Sequence, residues 1–421
     1  MTSRWIYKRL EDAVDRTCSL SYGIVQPGED VQDGLPVVRP TDLRSRVVGL
    51  SGLKRIDPTL AIPYERTRLH GGELLLCVRG DTGSVSVAAH ELSGANVTRG
   101  IVPIRFDTST VLQEFGYYAF VAASMQAQIK AATYGAALMQ INIRDLRKII
   151  IPVPPLDVQK RIVAILDEAF EGIDTAVANT GKNLANAREI FDSYLKDVFS
   201  QEHAGWSASK LKQLTTKIGS GATPRGGEES YKTEGISLIR SLNVHDLSFK
   251  YPKLAFLDKE QADALSNVEV HRHDVLLNIT GASIARCCLV PENVLPARVN
   301  QHVAIIRPAA TKLDSSFLHY LLISKPYKSS LLLTGEDGGT TRQALTKAQL
   351  EDFAVACPEA LEQQQAIVEN LDMMLAEYQS LEAIYRRKLA LFEGLKRSIL
   401  QKAFSDELAA HPEKALPEAA E

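Results

Sequence analysis

Pro154-Pro155-Leu156-Asp157-Val158-Gln159-Lys160-Arg161-Ile162-Val163-Ala164-Ile165-Leu166-Asp167 returns, altered, as Pro358-Glu359-Ala360-Leu361-Glu362-Gln363-Gln364-Gln365-Ala366-Ile367-Val368-Glu369-Asn370-Leu371-Asp372. Each stretch opens a long heptad-patterned segment, and each segment closes on the same pair, Phe199-Ser200 and Phe404-Ser405. Apolar residues recur at Ile162, Leu166, Ala169, Ile173 and Ala176, then at Ala187, Ile190 and Tyr194. The second series runs Ile367, Leu371, Met374, Tyr378, Leu381 and Tyr385, then Phe392, Leu395 and Ile399. Steps of four and three make a coiled-coil seam. Midway it turns polar, at Thr180 and Asn183 against Tyr385 and Lys388 in the other copy, and polar seam residues fix register at a cost in stability. A helix of about 43 residues is roughly 65 Å long. Pro154-Pro155 and Pro358 stand before the helices, where proline does not break the ladder.

The repetition extends upstream. Trp5 with Leu10 matches Trp206 with Leu211, and Glu73-Leu74-Leu75-Leu76 before Gly80 matches Asp274-Val275-Leu276-Leu277 before Gly281. Val97 to Arg105 matches Val299 to Arg307. The chain therefore reads as two copies of a globular unit followed by a long helix: 1–153, 154–201, 202–357 and 358–406, with an Ala-, Pro- and Glu-rich tail at 407–421 that reads as flexible. Two such helices, each leaving its own unit, are expected to pair antiparallel. Leu74–Val78, Val85–Ala88, Ile101–Arg105, Ser237–Arg240, Val275–Ile279 and Val303–Ile306 read as strands, and Phe115–Ala132 and Ser316–Leu332 as helices. Each unit is thus an α+β domain with a twisted, largely antiparallel sheet.

Composition is that of a globular chain: 421 residues, 45% apolar and 24% charged. The start of the chain has no apolar core of a signal peptide, no run approaches a membrane span, and five cysteines without CxxC spacing fit a reducing cytoplasm. The net charge of −3 divides unevenly: 18 Lys+Arg against 15 Asp+Glu in 1–153, 5 against 8 in 154–201, 18 against 16 in 202–357, and 7 against 12 in 358–421. Mildly basic globular units alternate with acidic helices, and local charge is what a phosphate backbone feels.

Signs of chemistry are few. No phosphate-binding Gly-x-x-x-x-Gly-Lys-Ser/Thr loop occurs, nor an Asp/Asn-Pro-Pro-Tyr/Phe element. Gly219-Ser220-Gly221 reads as a turn, His271-Arg272-His273 lacks the partners of a metal site, and Cys287-Cys288 read as packed thiols.

With these features the chain resembles the specificity (S) subunit of type I restriction-modification systems. The resemblance rests on the Pro-Pro-Leu-x-x-Gln element at 154–159 and its variant at 358–364, on Gly221-Ala222-Thr223-Pro224, on the strand and turn at 274–281, on Asn300-Gln301-His302 and on the closing Phe-Ser. It covers residues 1–406 and is stronger in the second half. The first half has Ser21-Tyr22-Gly23-Ile24 near the place of Gly-x-Thr-Pro and Thr98-Arg99-Gly100 where the second has Asn300-Gln301-His302. Val158-Gln159 replaces the usual Glu-Gln, which the second half keeps as Glu362-Gln363.

The resemblance implies two target-recognition domains joined by two long helices that form an antiparallel coiled coil, and a chain that does no chemistry itself. Each domain would read one half of a split double-stranded DNA target. The coiled coil would set the gap and dock two methyltransferase (M) subunits, which carry S-adenosylmethionine and methylate adenine. Up to two ATP- and Mg-dependent restriction (R) subunits would complete the complex. Expected DNA-contacting residues are the polar and basic side chains of loops around the repeated anchors: Arg39, Thr41, Arg79, Asp81, Thr82 and Arg99 in the first domain, and Thr223, Arg225, Arg240, Asn243, Asn278, Thr280, Ser283, Arg342 and Gln343 in the second. Arginine reads guanine and Asn or Gln adenine through paired hydrogen bonds. Two other readings stand beside this one: a coiled-coil adaptor between proteins, and a self-sufficient DNA-modifying enzyme, against which the missing motifs argue.

Overall fold

The computed structural model describes residues 5–135, 138–200, 205–224, 226–336 and 344–405. The chain divides into two compact units, 1–180 with 387–421, and 181–386. The division falls inside the long helices, Leu156–Ser200 and Leu361–Ala403. Each unit thus holds one globular domain, the beginning of one long helix and the end of the other.

In the first unit a four-stranded sheet runs in the order Val47–Val48, Val85–Ala88, Leu74–Cys77, Ile101–Ile104, and a three-stranded sheet in the order Lys54–Ile56, Leu35–Val38, Asn96–Val97. Ile6–Arg9 pairs antiparallel with Ile150–Val153, the strand that leads into the first long helix. The second unit repeats the scheme. Leu74–Cys77 against Ile101–Ile104 becomes Val275–Asn278 against Val303–Pro308. The parallel pair Leu35–Val38 with Asn96–Val97 becomes Ile236–Ile239 with Ala297–Val299. Ile6–Arg9 with Ile150–Val153 becomes Trp206–Lys210 with Ala354–Pro358. Most ladders are antiparallel, as expected, but these parallel pairs and that of Val47–Val48 with Val85–Ala88 were not foreseen. The central strands are apolar on both faces, so periodicity carries no sign of which neighbour runs which way.

The two domain helices expected to be continuous are each broken in two. Gln113–Val121 and Ala123–Ala132 meet at Ala122, and Ser315–Ile323 and Lys325–Glu336 meet at Ser324, both junctions in extended backbone. In the second break the buried Ser324 hydroxyl donates to Leu321 O at 2.6 Å, a local bond that competes with the helical ladder.

The helices enter the domain cores. In the first unit Val158, Ile162, Leu166, Leu400 and Ala403 share one apolar cluster with Leu10, Phe115 and Ile151. Lys396 pairs with Asp174 and lies 5.4 Å over the Phe170 ring. In the second unit Phe191 stacks on Tyr378 at 5.9 Å, and Phe191, Leu195 and Phe199 join Val368 and Leu371 in the core. Progress along one helix is regress along the other in both units, so the pair is antiparallel. The closing phenylalanines end on tryptophans: Phe404 lies 6.4 Å from Trp5, and Phe199 6.2 Å from Trp206. The seam departs from expectation late in each helix. Ile190, Leu395 and, midway, Leu381 are exposed, and late in the helices Phe191, Leu195 and Leu400 are buried in place of the expected positions. There the helix must satisfy a globular core as well as a partner helix, and the buried stripe turns toward that core. The tail at 407–421 lies outside the described residues.

Candidate nucleic-acid interface

At one end of each domain's strands, several turns are tied together by the same backbone hydrogen bonds. In the first unit Thr98 N donates to Val38 O at 2.9 Å, Val78 N to Gly100 O at 2.8 Å, and Ile141 N to Val78 O at 3.0 Å. In the second, Asn300 N donates to Ile239 O at 3.1 Å, Ile279 N to His302 O at 3.0 Å, and Leu345 N to Ile279 O at 2.8 Å. The turns following Val38, Val78 and Val97 therefore converge, as do those following Ile239, Ile279 and Val299.

A fourth segment completes each cluster. Gly221 donates its N–H to Asn300 O at 3.1 Å, and a Cβ there would stand 1.8 Å from Val299 O. Gly23 stands in the same relation to Val97, whose carbonyl oxygen would be 2.0 Å from an added Cβ. Ile24 N donates to Val97 O, and Arg99 N to Ile24 O, both at 2.8 Å. Gly23 is thus the counterpart of Gly221, with no Thr-Pro after it to mark it in the sequence. Only a residue without a side chain permits this approach.

The expected DNA-contacting residues of the first unit fall on these turns. Arg99 is exposed and Arg79 half-buried, and neither guanidinium has a hydrogen-bond or ion-pair partner among the described residues. Gly100 packs against Pro40 and the Arg79 backbone, since a Cβ there would meet the Pro40 ring at 2.5 Å and Arg79 O at 3.6 Å. Thr41 is exposed. Asp81 accepts from the Ser84 hydroxyl at 2.5 Å, and the Thr82 hydroxyl donates to Met139 O at 3.2 Å. Arg39 is committed to Asp42 through Nε at 3.1 Å and Nη2 at 2.9 Å, a pairing that raises its pKa further. Beside these turns lies a cleft of about 460 Å³ lined by Arg44, Arg46, Asp81, Thr82, Tyr117 and Gln126, of which the sequence reading singled out only Asp81 and Thr82.

The second cluster has a different chemistry. Arg240 is held inside the domain, donating to Glu228 at 2.5 Å and Lys253 O at 2.7 Å and lying 5.1 Å over the Tyr231 ring. Asn243 is fully buried, accepting from Arg240 N at 3.0 Å and donating to Lys250 O at 2.8 Å. Asn278, also buried, donates to Ser241 O at 2.9 Å and to the Ser283 hydroxyl at 3.2 Å. Its Oδ1 has no hydrogen-bond partner among the described residues. These three side chains set the turns. Thr223 donates to Gln301 Oε1, and Thr280 Oγ1 lies 2.6 Å from His302 Nδ1. Gln301 and His302 were not among the expected contacts, because Asn300-Gln301 leads into a core strand and reads as structural. Arg225, Arg342 and Gln343 lie outside the described residues, though Ala344, next to Gln343 in the sequence, bridges to Thr280.

Among the described residues no group of three or more His, Cys, Asp or Glu could hold a metal ion, and no helix is long and apolar enough to cross a membrane. His271 N and Arg307 are both bound by the buried Asp274, the counterpart of Glu73 with Arg105, so His271-Arg272-His273 is part of a repeated turn.

Comparison with known proteins agrees with this doubled architecture. The chain is 24% identical over 205 residues to the type I restriction enzyme EcoBI specificity subunit of Escherichia coli, covering 48% of this chain and 43% of that protein. It is 24% identical over 292 residues to the MjaVIII specificity subunit of Methanocaldococcus jannaschii, covering 65% of each. The matches thus span from under half to just under two thirds of the relatives' own lengths. In fold it is similar to a chain from a structural study of complex assembly and conformational transition of the type I R-M system (TM-score 0.75, 20% identity, 96% of this chain and 98% of that one). It is also similar to the HsdS subunit of Thermoanaerobacter tengcongensis (TM-score 0.54, 20% identity, 96% and 97%). The model of the type I restriction modification DNA specificity domain matches residues 32–180 and again 203–386, so the chain, with its two pseudo-repeated α+β domains and antiparallel long helices, belongs to that family.

Proposed function

We propose that this chain is the DNA-reading subunit of a type I restriction-modification complex and carries out no chemistry of its own. Each turn cluster reads one half of a bipartite target in double-stranded DNA. The observation that carries this reading is the set of three backbone hydrogen bonds repeated at the end of both domains, displaying different side chains. A common frame with changed contents is what two recognition surfaces for two different sequences require. The half-sites then lie roughly one helical turn apart, since both domains must reach grooves on one face of the duplex. The long helices, with their acidic excess, serve as the spacer and as the dock for two M subunits. S-adenosylmethionine belongs to those partners, and ATP and Mg to any R subunit, and the complex works in the cytoplasm.

Modified-base sequencing of the genome of the cell that carries the gene, with and without it, tests the proposal. A split adenine-methylated motif of fixed gap disappears on deletion. Survival of every methylated motif beside an active cognate M subunit would leave the adaptor reading in its place.

A further inference from the structure

Four side chains of the second cluster form one line of hydrogen bonds across three separate segments. The Thr223 hydroxyl donates to Gln301 Oε1, Gln301 Nε2 lies 3.1 Å from His302 Nε2, and His302 Nδ1 lies 2.6 Å from Thr280 Oγ1. The proton count has a self-consistent solution. An amide N–H of Gln301 donates to His302 Nε2, so the neutral ring carries its proton on Nδ1 and donates it to Thr280. His302 is held in turn by its backbone, with its N–H on Asn300 Oδ1 at 3.0 Å and its carbonyl accepting from Ile279 N.

The counterparts in the first domain cannot make such a line. By the shared backbone bonds, Thr223, Thr280, Gln301 and His302 correspond to Val25, Arg79, Arg99 and Gly100. Two arginines with no partner among the described residues stand where the second domain has a neutral relay. Arginine reaches a phosphate or a guanine from a flexible stem, whereas short hydroxyl and amide groups read a base edge only when something holds them in place.

We infer that His302 is a positioning residue: through Gln301 and Thr280 it fixes the Thr223 segment and the turn at 280–283 in the geometry with which the second domain reads its half of the target. Gln301 itself is exposed, and after its two inward bonds its amide keeps one N–H and one oxygen lone pair. This inference rests on the function proposed above.

The test uses the full chain in its complex, expressed in place of the wild type, with the methylated motif read by modified-base sequencing. Thr280→Val removes the hydroxyl at nearly constant volume, Thr280→Ser keeps it, and His302→Ala removes the ring. Thr280→Val and His302→Ala relax the same half of the motif, by about fivefold at the affected positions, the factor for one neutral hydrogen bond. The double variant relaxes it no further than the stronger single, because both act through one relay. Thr280→Ser and the other half of the motif stay as in wild type. An unchanged motif, or an equal loss in both halves or of all methylation, would overturn the inference and make the relay a matter of folding alone. If no methylated motif depends on the wild-type gene, the underlying function fails and the inference with it.

Discussion

Gln159 and Gln364 do the same work in the two units. Gln159 Oε1 accepts from Leu112 N at 2.8 Å, and its Nε2 donates to Thr110 O and Pro154 O, both at 2.8 Å. Gln364 Oε1 accepts from Asp314 N at 2.8 Å, and its Nε2 donates to Lys312 O at 3.0 Å and Pro358 O at 2.8 Å. Both side chains are fully buried. Each ties the first turn of a long helix to the loop before the domain's own helix. The counterpart of Gln159 is therefore Gln364, where the variant element at 358–364 ends, and Val158 stands opposite Gln363, so Glu362-Gln363 is not the match of Val158-Gln159. Adjacent glutamines at 363, 364 and 365 are interchangeable as letters, and only burial separates them.

Replacing either glutamine by alanine leaves three backbone groups without these partners, one bond of each set buried and two partly buried. Leaving a buried polar group unpaired costs about 1–3 kcal/mol, with water entering the vacated space offsetting part of the total. Gln159→Ala and Gln364→Ala should each lower stability by about 3 kcal/mol. The two effects should add, because the residues share no partner. Denaturant unfolding of the two single variants and the double checks this, and strong non-additivity would contradict it.

Gly23 and Gly221 lead to a sharper outcome. An alanine at either collides with a carbonyl oxygen of the neighbouring strand, a backbone atom that cannot swing aside. Gly221→Ala should disturb reading of the half-site assigned to the second domain and spare the other, and Gly23→Ala should do the reverse. Motif sequencing of the two variants separates these outcomes from a common folding defect, in which both halves fade together.

How much was legible follows from the kind of constraint each residue obeys. The long helices and central strands were readable because their burial is periodic or continuous over many residues, as in Leu74–Cys77 and Val275–Asn278. The breaks at Ala122 and Ser324 were not, because the apolar pattern continues through them and only an extended backbone marks them. In the candidate site, the turns follow the repeated anchors, but the burial of their side chains does not show in the sequence. Asn243 and Asn278 look like base readers in the sequence and are buried braces, while Gln301 looked like a brace and is exposed. Polarity shows that a side chain needs partners and does not show whether they are its own backbone or a ligand.

His319, buried beside the Cys287 carbonyl at 3.3 Å, carries a pH prediction. Burial drives its pKa down from 6.5 to about 4, against a smaller opposing contribution from that carbonyl. The unfolded chain then binds a proton from pH 6.5 downward that the folded chain refuses until about pH 4. This contribution to stability is fully present above pH 6.5 and is lost as the pH falls between these values. The loss is on the order of 3 kcal/mol. His319→Gln, which cannot take up the proton, should flatten this part of the stability–pH curve. Denaturant midpoints of wild type and variant at pH 7, 6, 5 and 4 measure it, and parallel curves would rule His319 out as the cause.

Arg99 gives the counterpart test in the first domain. It is exposed on the turn that converges with those of Arg79 and Pro40, and its guanidinium has no partner among the described residues, so it is available to either a base or a phosphate. The two uses differ in what they lose. Paired hydrogen bonds to guanine O6 and N7 discriminate by about 1–3 kcal/mol and need the planar fork of arginine. A phosphate contact needs only the charge. Arg99→Lys keeps the charge and removes the fork. If Arg99 reads a base, Arg99→Lys should relax one position of the half-site read by the first domain, with little change in the salt dependence of binding. If it holds phosphate, Arg99→Lys should leave the motif intact, and Arg99→Ala should weaken binding to all sequences alike and lower the salt slope by about one. The exposed turn position, matched by Gln301 in the other domain, favours base reading. Relaxation of a single position by Arg99→Lys is the expected result.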